Sequence, residues 1–510
     1  MLFACLVLLC GYYCAELILS GNLRGLLLGA GILVCGAFAV VILGDWHRGL
    51  YIFLAWLTVE DLARKFLGNN MVIYFVKDLL VGAVYLSFFI AWRRKSATTF
   101  RPPFLVPLLL FVWLGVAQVF NPNSTSIGFG LLGLKVLFYY VPLMFVGYSF
   151  ADSEGRLRRL FFANCVAVLF VAGLGTAQSI IGPSFLNPGH LQQDIREMGT
   201  LYRVAPISGA VVYRPNSVFV SPGRYGDYLL LQSLLALGLA GYLLLRQRQG
   251  RALAFTTIAI LAGGIVLAAS RGIFLWSMGS TLVVAAAFLW GAPWRQREVM
   301  RVLRAIQRML LAVGLGLILL LVAYPNAILG RFAVYSETLS PYSPDSELLH
   351  RVRDYPLQNF LGAFEYSYWP VGYGIGTTAL GSQYVQRFFH VKPAVAGVES
   401  GFGTLVVELG IFGLVGWIFM SAAIIFSAWK LVRKLKGTPW FPLAFVIWWY
   451  AFLLLFPITF MGIQPYEDFI LNAYLWLLLG ILFRLPGVAL AAQNSPDAVP
   501  ASELRRRWAS

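Results

Sequence analysis

Long apolar runs separated by short polar breaks occupy nearly the whole chain, from the first residues to about residue 485. A helix needs about 20 apolar residues to cross the hydrocarbon core of a bilayer. Runs of that order fall at 2–20, 25–44, 50–67, 71–92, 104–120, 127–150, 160–182, 225–245, 252–270, 273–291, 309–329, 402–429, 439–460 and 468–484. The pattern predicts an all-α, polytopic membrane domain over residues 1–485 with about fourteen transmembrane helices. The N-terminal run lacks a basic leading region and a clear small-residue cleavage site, so it is read as a retained first helix. Residues 486–510, rich in Ala, Pro and Ser, read as a disordered cytoplasmic tail.

The polar breaks carry the orientation, because short cytoplasmic loops are enriched in Lys and Arg. Basic clusters stand at Arg93-Arg94-Lys95, at Arg156, Arg158 and Arg159, at Arg246, Arg248 and Arg251, at Arg295, Arg297, Arg301, Arg304 and Arg308, and at Lys430, Arg433, Lys434 and Lys436. Each lies in an alternate loop, and Arg505-Arg506-Arg507 falls on the same side, which predicts cytoplasmic termini. Two connections on the opposite, outer (periplasmic) side are long: residues 183–224 and, between the late helices, residues 330–401. In the second, five basic residues nearly balance six acidic ones, and a loop of that length without a disordered composition usually has a function. Its aromatics, Tyr366, Tyr368, Trp369 and Tyr373, predict that it folds back onto the membrane surface.

Composition sharpens this picture. The chain is 59% hydrophobic and 12% charged, against roughly 25% charged in soluble domains, so a soluble fold could not hide its apolar surface. The net charge of +17 sits in short clusters between apolar runs and not in a basic domain, which points to topology and membrane lipids and away from nucleic acid. The five cysteines lie inside apolar segments with no paired spacing. No Gly-Lys-Ser/Thr phosphate loop, His-Glu-x-x-His or Cys-x-x-Cys occurs, so neither a cofactor, a metal site nor ATP-driven work by this chain is expected.

Charged groups near the membrane are costly and therefore informative. Ser270-Arg271-Gly272 interrupts two apolar runs at the predicted outer face, where Arg271 either binds a phosphate or snorkels to lipid head groups. Arg214 and Arg224 bracket a segment just before a helix re-enters the membrane, and Arg351 and Arg353 lie in the long outer loop. Guanidinium groups suit phosphate oxygens because they donate parallel hydrogen bonds and keep their charge; converging, these arginines would hold a diphosphate. Lys77-Asp78 and Lys135 either line a polar cavity or pair with neighbouring helices. Glu60, Asp61, Arg64 and Lys65 form opposite-charge pairs at i,i+4 and read as an interfacial helix end. Glu399 and Glu408, about two and a half helical turns apart, stand where the long loop returns to the bilayer. Glu399 is the candidate general base, Glu408 the deeper and structural one; His350 and His390 are further loop bases or plain surface residues.

Three segments together resemble the O-antigen ligase and O-antigen polymerase family of bacterial polysaccharide assembly. Ser270-Arg271-Gly272 is similar to that family's Ser-Arg-Gly element at a helix junction. The stretch from Tyr366 through Pro370, Gly372, Gly374 and Gly376 is similar to its proline and Gly-x-Gly-x-Gly loop, and Glu408-Leu-Gly410-Ile-Phe-Gly413 to its Glu-x-Gly-x-x-Gly helix start. The likeness covers roughly residues 200–430, in order. Family ligases usually carry a His-Asn pair before the Glu-x-Gly helix; this chain has Glu399-Ser400 there, which favours a polymerase. The resemblance implies a metal-independent glycosyltransferase of the bacterial inner membrane that joins undecaprenyl-diphosphate-linked repeat units at its outer face into O-antigen, capsule or exopolysaccharide. In that expectation Arg271, with Arg214 or Arg224 and Arg351 or Arg353, holds the leaving diphosphate, and Glu399 activates the acceptor hydroxyl. A chain-length regulator and a flippase of the same pathway would be partners. The alternatives are an O-antigen ligase and a lipid-linked oligosaccharide flippase; no matching halves of the kind transporters often show are visible.

Overall fold

The computed structural model describes residues 36–67, 71–188, 201–246, 249–293, 321–339 and 354–494, with scattered residues between 304 and 319. It is mostly helical. In chain order the helices are α1 (Trp46–Leu67), α2 (Met71–Arg93), α3 (Leu105–Val119), α4 (Ile127–Phe138), α5 (Leu143–Phe150), α6 (Glu154–Ile181), α7 (Pro222–Arg246), α8 (Arg251–Leu267) and α9 (Arg271–Gly291). They continue with α10 (Pro325–Leu339), α11 (Tyr355–Gly362), α12 (Ser382–Phe389), α13 (Gly401–Lys434), α14 (Phe441–Leu453) and α15 (Phe469–Asn494). The sheet among the described residues is a hairpin of β1 (Tyr202–Val204) and β2 (Val211–Tyr213), antiparallel with Arg203 opposite Val212.

Eight stretches of these residues are long and apolar enough to cross a bilayer: α2, α4 with α5, α6, α7, α9, α13, α14 with its continuation to Met461, and α15. The chain is therefore a membrane-embedded helical protein. Apolar α3 and α8 are shorter, at 15 and 17 residues. The run predicted at 2–20 and most of that at 25–44 lie outside the described residues, as do a few residues of 309–329. The last helix passes through Pro486 to Asn494, taking in the first residues of the segment read from sequence as the tail. Helix starts follow capping chemistry: Ser126, Ser153 and Ser400 each accept a hydrogen bond from the backbone N–H two or three residues on, satisfying donors the helix cannot.

Residues 1–97 and 98–510 form two compact units. In the first, α1 packs on α2 across buried charge. The Lys77 ammonium reaches Glu60 at 2.8 Å and lies over the Tyr74 ring, and Arg64 pairs with Asp61 at 3.1 Å. The quartet Glu60, Asp61, Arg64 and Lys65 lies near the end of α1 and is buried; beside its i,i+4 charge interactions, Arg64 pairs at i,i+3 with Asp61 and Glu60 pairs with Lys77 of the next helix. Burying unpaired charge would cost several kcal/mol per ion, so the partners have to be brought in with it.

The second unit is held by close helix contacts at small residues, the usual device where lipid supplies no hydrophobic drive between helices. A Cβ on Gly147 of α5 would strike the Leu477 carbonyl of α15, and one on Gly480 would strike the Met144 carbonyl. Gly238 and Gly241 of α7 lie against Val446 and Pro442 of α14 in the same way. A buried polar chain ties three helices together: Tyr474 donates to Asn164, whose amide donates to Gln232, both at 2.6 Å.

Candidate functional site

The segment before α13 is joined to that helix through a clamp that brings together two of the three segments singled out in the sequence. Gly410 interrupts α13 with φ 73°. A helix broken there no longer pairs its own backbone groups, and the loop takes them up. Tyr373 N–H donates to Val407 O at 2.8 Å and Gly374 N–H to Glu408 O at 3.0 Å, while Ile411 N–H donates to Pro370 O at 3.3 Å. Gly372, Gly374 and Gly376 all have positive φ, between 82° and 97°. Gly376 in addition seats directly against the backbone of Phe129 and Gly133 in α4. Only glycine supplies both that conformation and that close approach.

Glu408 closes the clamp. Its carboxylate accepts hydrogen bonds from Gly376 N–H at 2.8 Å, Thr378 N–H at 2.7 Å and the Thr378 hydroxyl at 2.8 Å. All three of these bonds hold the loop, so the structural role expected of it is the one seen. The next turn of loop is held by Glu467, in a short turn before α15, which accepts from Leu380 N–H at 2.8 Å. Burial, and then the charge of nearby Glu408, push the Glu467 carboxyl up to about 8.

Three amides that the sequence reading passed over complete the seat. Gln118 donates to Val371 O at 2.8 Å, and Asn121 and Asn123 both donate to Gly372 O at 3.1 Å. Gln118 and Asn121 are further locked together at 2.6 Å. The visible signal was three carboxamides in six residues just past an apolar run, Gln118-Val-Phe-Asn-Pro-Asn123. Of the loop aromatics, Tyr366, Trp369 and Tyr373 pack with Val406, Val407 and Leu414 of α13, while Tyr368 is exposed.

The basic groups gather at the α8–α9 junction. Ser270-Arg271 is the turn itself, with Arg271 opening α9, where the positive end of the helix dipole adds to its guanidinium. Tyr335 of α10 lies beside the Ser270 backbone and feels the charges of Arg331, Arg203 and Arg214. Its ring packs on Phe274, 5.1 Å between centroids. Arg331 is buried and donates to Leu267 O at 2.8 Å and Tyr213 O at 3.1 Å. It thereby ties the end of α8 to β2. Burial, and then the neighbouring charge of Arg203, push the Arg214 guanidinium down to about 10. Two cations held this close favour an anionic ligand between them. Arg203 and Arg331 had not been singled out from sequence.

The other expected site residues lie elsewhere. Arg224 forms an ion pair with Asp468 at 2.5 Å and stacks over Phe469, so its charge is already matched. Arg351 and Arg353, and with them His350, lie outside the described residues. Glu399 precedes α13, which begins at Gly401, so no helical face relates it to Glu408. It is exposed; its backbone N–H donates to the Asn359 side chain at 3.3 Å, and among the described residues its carboxylate has no ion-pair partner. His390 ends α12 with φ 53°. Lys77, as noted, pairs with a neighbouring helix. Among the described residues no group of His, Cys, Asp and Glu is placed to hold a metal ion. Neither protein-family models nor the curated proteins give a match to this chain.

Proposed function

We propose that this chain is a membrane glycosyltransferase that polymerises undecaprenyl-diphosphate-linked oligosaccharide repeats into O-antigen, capsule or exopolysaccharide. In this reading it crosses a bacterial inner membrane about fourteen times, with both termini cytoplasmic and the Gly-patterned loop outside. The observation that carries it is the gathering of Arg203, Arg214 and Arg331 around the Ser270-Arg271 turn and Tyr335 at the start of α9. Arg271 and Arg214 hold the diphosphate, Arg203 adds charge, and Arg331 positions the turn through the backbone carbonyls it binds. The acceptor hydroxyl attacks the anomeric carbon, the carbon–oxygen bond to the diphosphate breaks, and its electron pair leaves on the phosphate oxygen. Glu399 takes the hydroxyl proton; that role comes from the family resemblance, and its described contact is with Asn359 and not with the arginines. Fixed positive charge opposite the developing phosphate charge lowers the barrier without a nucleotide. The clamp made by Glu408 and the three glycines supports the reading by giving the outer loop one rigid seat.

The test is glycan analysis of a deletion strain complemented with wild type, Arg271→Ala or Arg214→Ala, each inserted at normal level. Expected is a loss of long polymer by about 100-fold or more, with lipid-linked single repeats accumulating on the outer face. Unaltered polymer length and yield would overturn the assignment. Repeats trapped on the cytoplasmic face would identify a flippase instead, and long polymer left on its lipid carrier a ligase.

A further inference from the structure

An open depression of about 510 Å³ lies beside Glu399, lined by Tyr355, Gln358, Asn359, Glu365, Tyr366 and Val398. Its volume falls within the ~300–1,000 Å³ of small-molecule sites. Among the described residues the lining is chemically particular: two phenol rings, two carboxamides, one carboxylate and no cation. An apolar ligand would cover the Gln358 carboxamide without pairing it, which costs free energy. An anion would meet the Glu365 carboxylate, with no cation among the described lining residues to balance it. A hydroxyl-rich ligand of no charge, or one carrying an amine, matches both sets, since amides donate and accept toward hydroxyls while ring faces cover the C–H side of a sugar.

The walls are held in place before any ligand arrives. The Asn359 amide donates to Tyr355 O at 2.9 Å, and its oxygen accepts from Glu399 N–H at 3.3 Å. The Tyr366 hydroxyl donates to Ala396 O at 2.9 Å, which leaves its ring as the surface it offers. Behind them Phe360 and Phe364 of the α11 segment stack edge to face, and Phe364 packs on Trp369. Asn359 is thus both a wall of the depression and the anchor of the Glu399 backbone.

We propose that this depression is the acceptor subsite, and that it takes the end of a neutral or amino-bearing glycan and rejects uronate-bearing or phosphorylated ends through Glu365. The assignment rests on the polymerase reading, with Glu399 beside the bound sugar to take the proton of the reacting hydroxyl. Its test reads binding without turnover, so the two can fail separately. The full chain in lipid nanodiscs is examined by saturation-transfer NMR with maltotriose, chitotriose and trigalacturonate as probes. Wild type is expected to bind at least one of the first two and not the third. Gln358→Ala and Tyr366→Ala are expected to weaken that binding about tenfold, the loss of a hydrogen bond or a ring contact. Glu365→Gln, an exposed and nearly isosteric change that leaves the fold intact, is expected to admit trigalacturonate. Equal binding of neutral sugars by wild type and both alanine variants would overturn the proposal, as would trigalacturonate binding in wild type or its continued exclusion by Glu365→Gln. If Arg271→Ala leaves polymer unchanged while the sugars still bind here, the polymerase reading fails and the depression stands as a glycan-binding site without the acceptor role.

Discussion

Glu408→Ala separates a structural carboxylate from a catalytic one. Three donors converge on it: Gly376 N–H, Thr378 N–H and the Thr378 hydroxyl, all within 2.8 Å. The hydroxyl can rotate to another acceptor when the carboxylate goes. The two backbone N–H groups cannot, and each loses a charge-assisted bond worth about 1.5–3 kcal/mol. The two losses share one site and are not fully additive, so about 3–5 kcal/mol should be lost from the closed form of the loop. The change should appear as local opening of residues 372–380 and not as unfolding of α13, because Val406, Val407 and Leu414 keep their apolar packing. Cleavage of a transiently opened segment follows its opening equilibrium. A loss of 3 kcal/mol therefore predicts chymotryptic cleavage between Tyr373 and Phe389 about 100-fold faster than in wild type. Glu408→Gln keeps one oxygen acceptor but sets an N–H₂ against a donor, and should fall between the two. Cleavage of the alanine variant within about threefold of wild type, a difference under ~1 kcal/mol, would refute the clamp. If polymer were lost at the same time, Glu408 would have to act on substrate.

Two further outcomes follow from the same loop. Gly376→Ala adds a Cβ against the carbonyl of Phe129 and the backbone of Gly133, on top of roughly 1–2 kcal/mol for a positive φ. It should unseat the loop and lower the midpoint of thermal unfolding, whereas Gly209→Ala, with φ 67° and open space around it, should cost only the backbone strain; equal midpoints for the two would count against the seat on α4. Because the Glu467 carboxyl is raised in the folded protein from the usual 4.5 to about 8, its contribution to stability is fully present below about pH 4.5 and is lost progressively as pH rises, the loss being complete once pH has passed about 8. Chymotryptic cleavage of the loop should therefore quicken between about pH 5 and 9 in wild type and much less in Glu467→Gln; parallel pH profiles would assign the change to another group.

What could be read in the sequence and what could not divides by distance along the chain. The apolar run 225–245 became α7 at Pro222–Arg246, because about 20 apolar residues in lipid have to satisfy their own backbone as a helix. Ser270-Arg271-Gly272 could be recognised as a junction, since a charged residue between two apolar runs has to lie near an interface. The partners that give these groups their roles are far away in sequence. Gln118 meets Val371 across 253 residues, and Arg224 meets Asp468 across 244. Neither end of such a pair is unusual by itself: a Gln at a helix end reads as a cap, and an Arg at a helix start reads as a phosphate ligand. Arg224 shows the consequence, since the local features that nominated it for diphosphate binding are equally those of a residue neutralised by its neighbour. Arg331 shows the converse. It was one of five nearly balanced loop cations, yet it ties α8 to β2 and helps set the turn that carries Arg271. Glycine gives the clearest case of the limit. Gly209 and Gly376 both have positive φ. One faces open space and the other the backbone of α4, so only the second makes the loop part of the bundle.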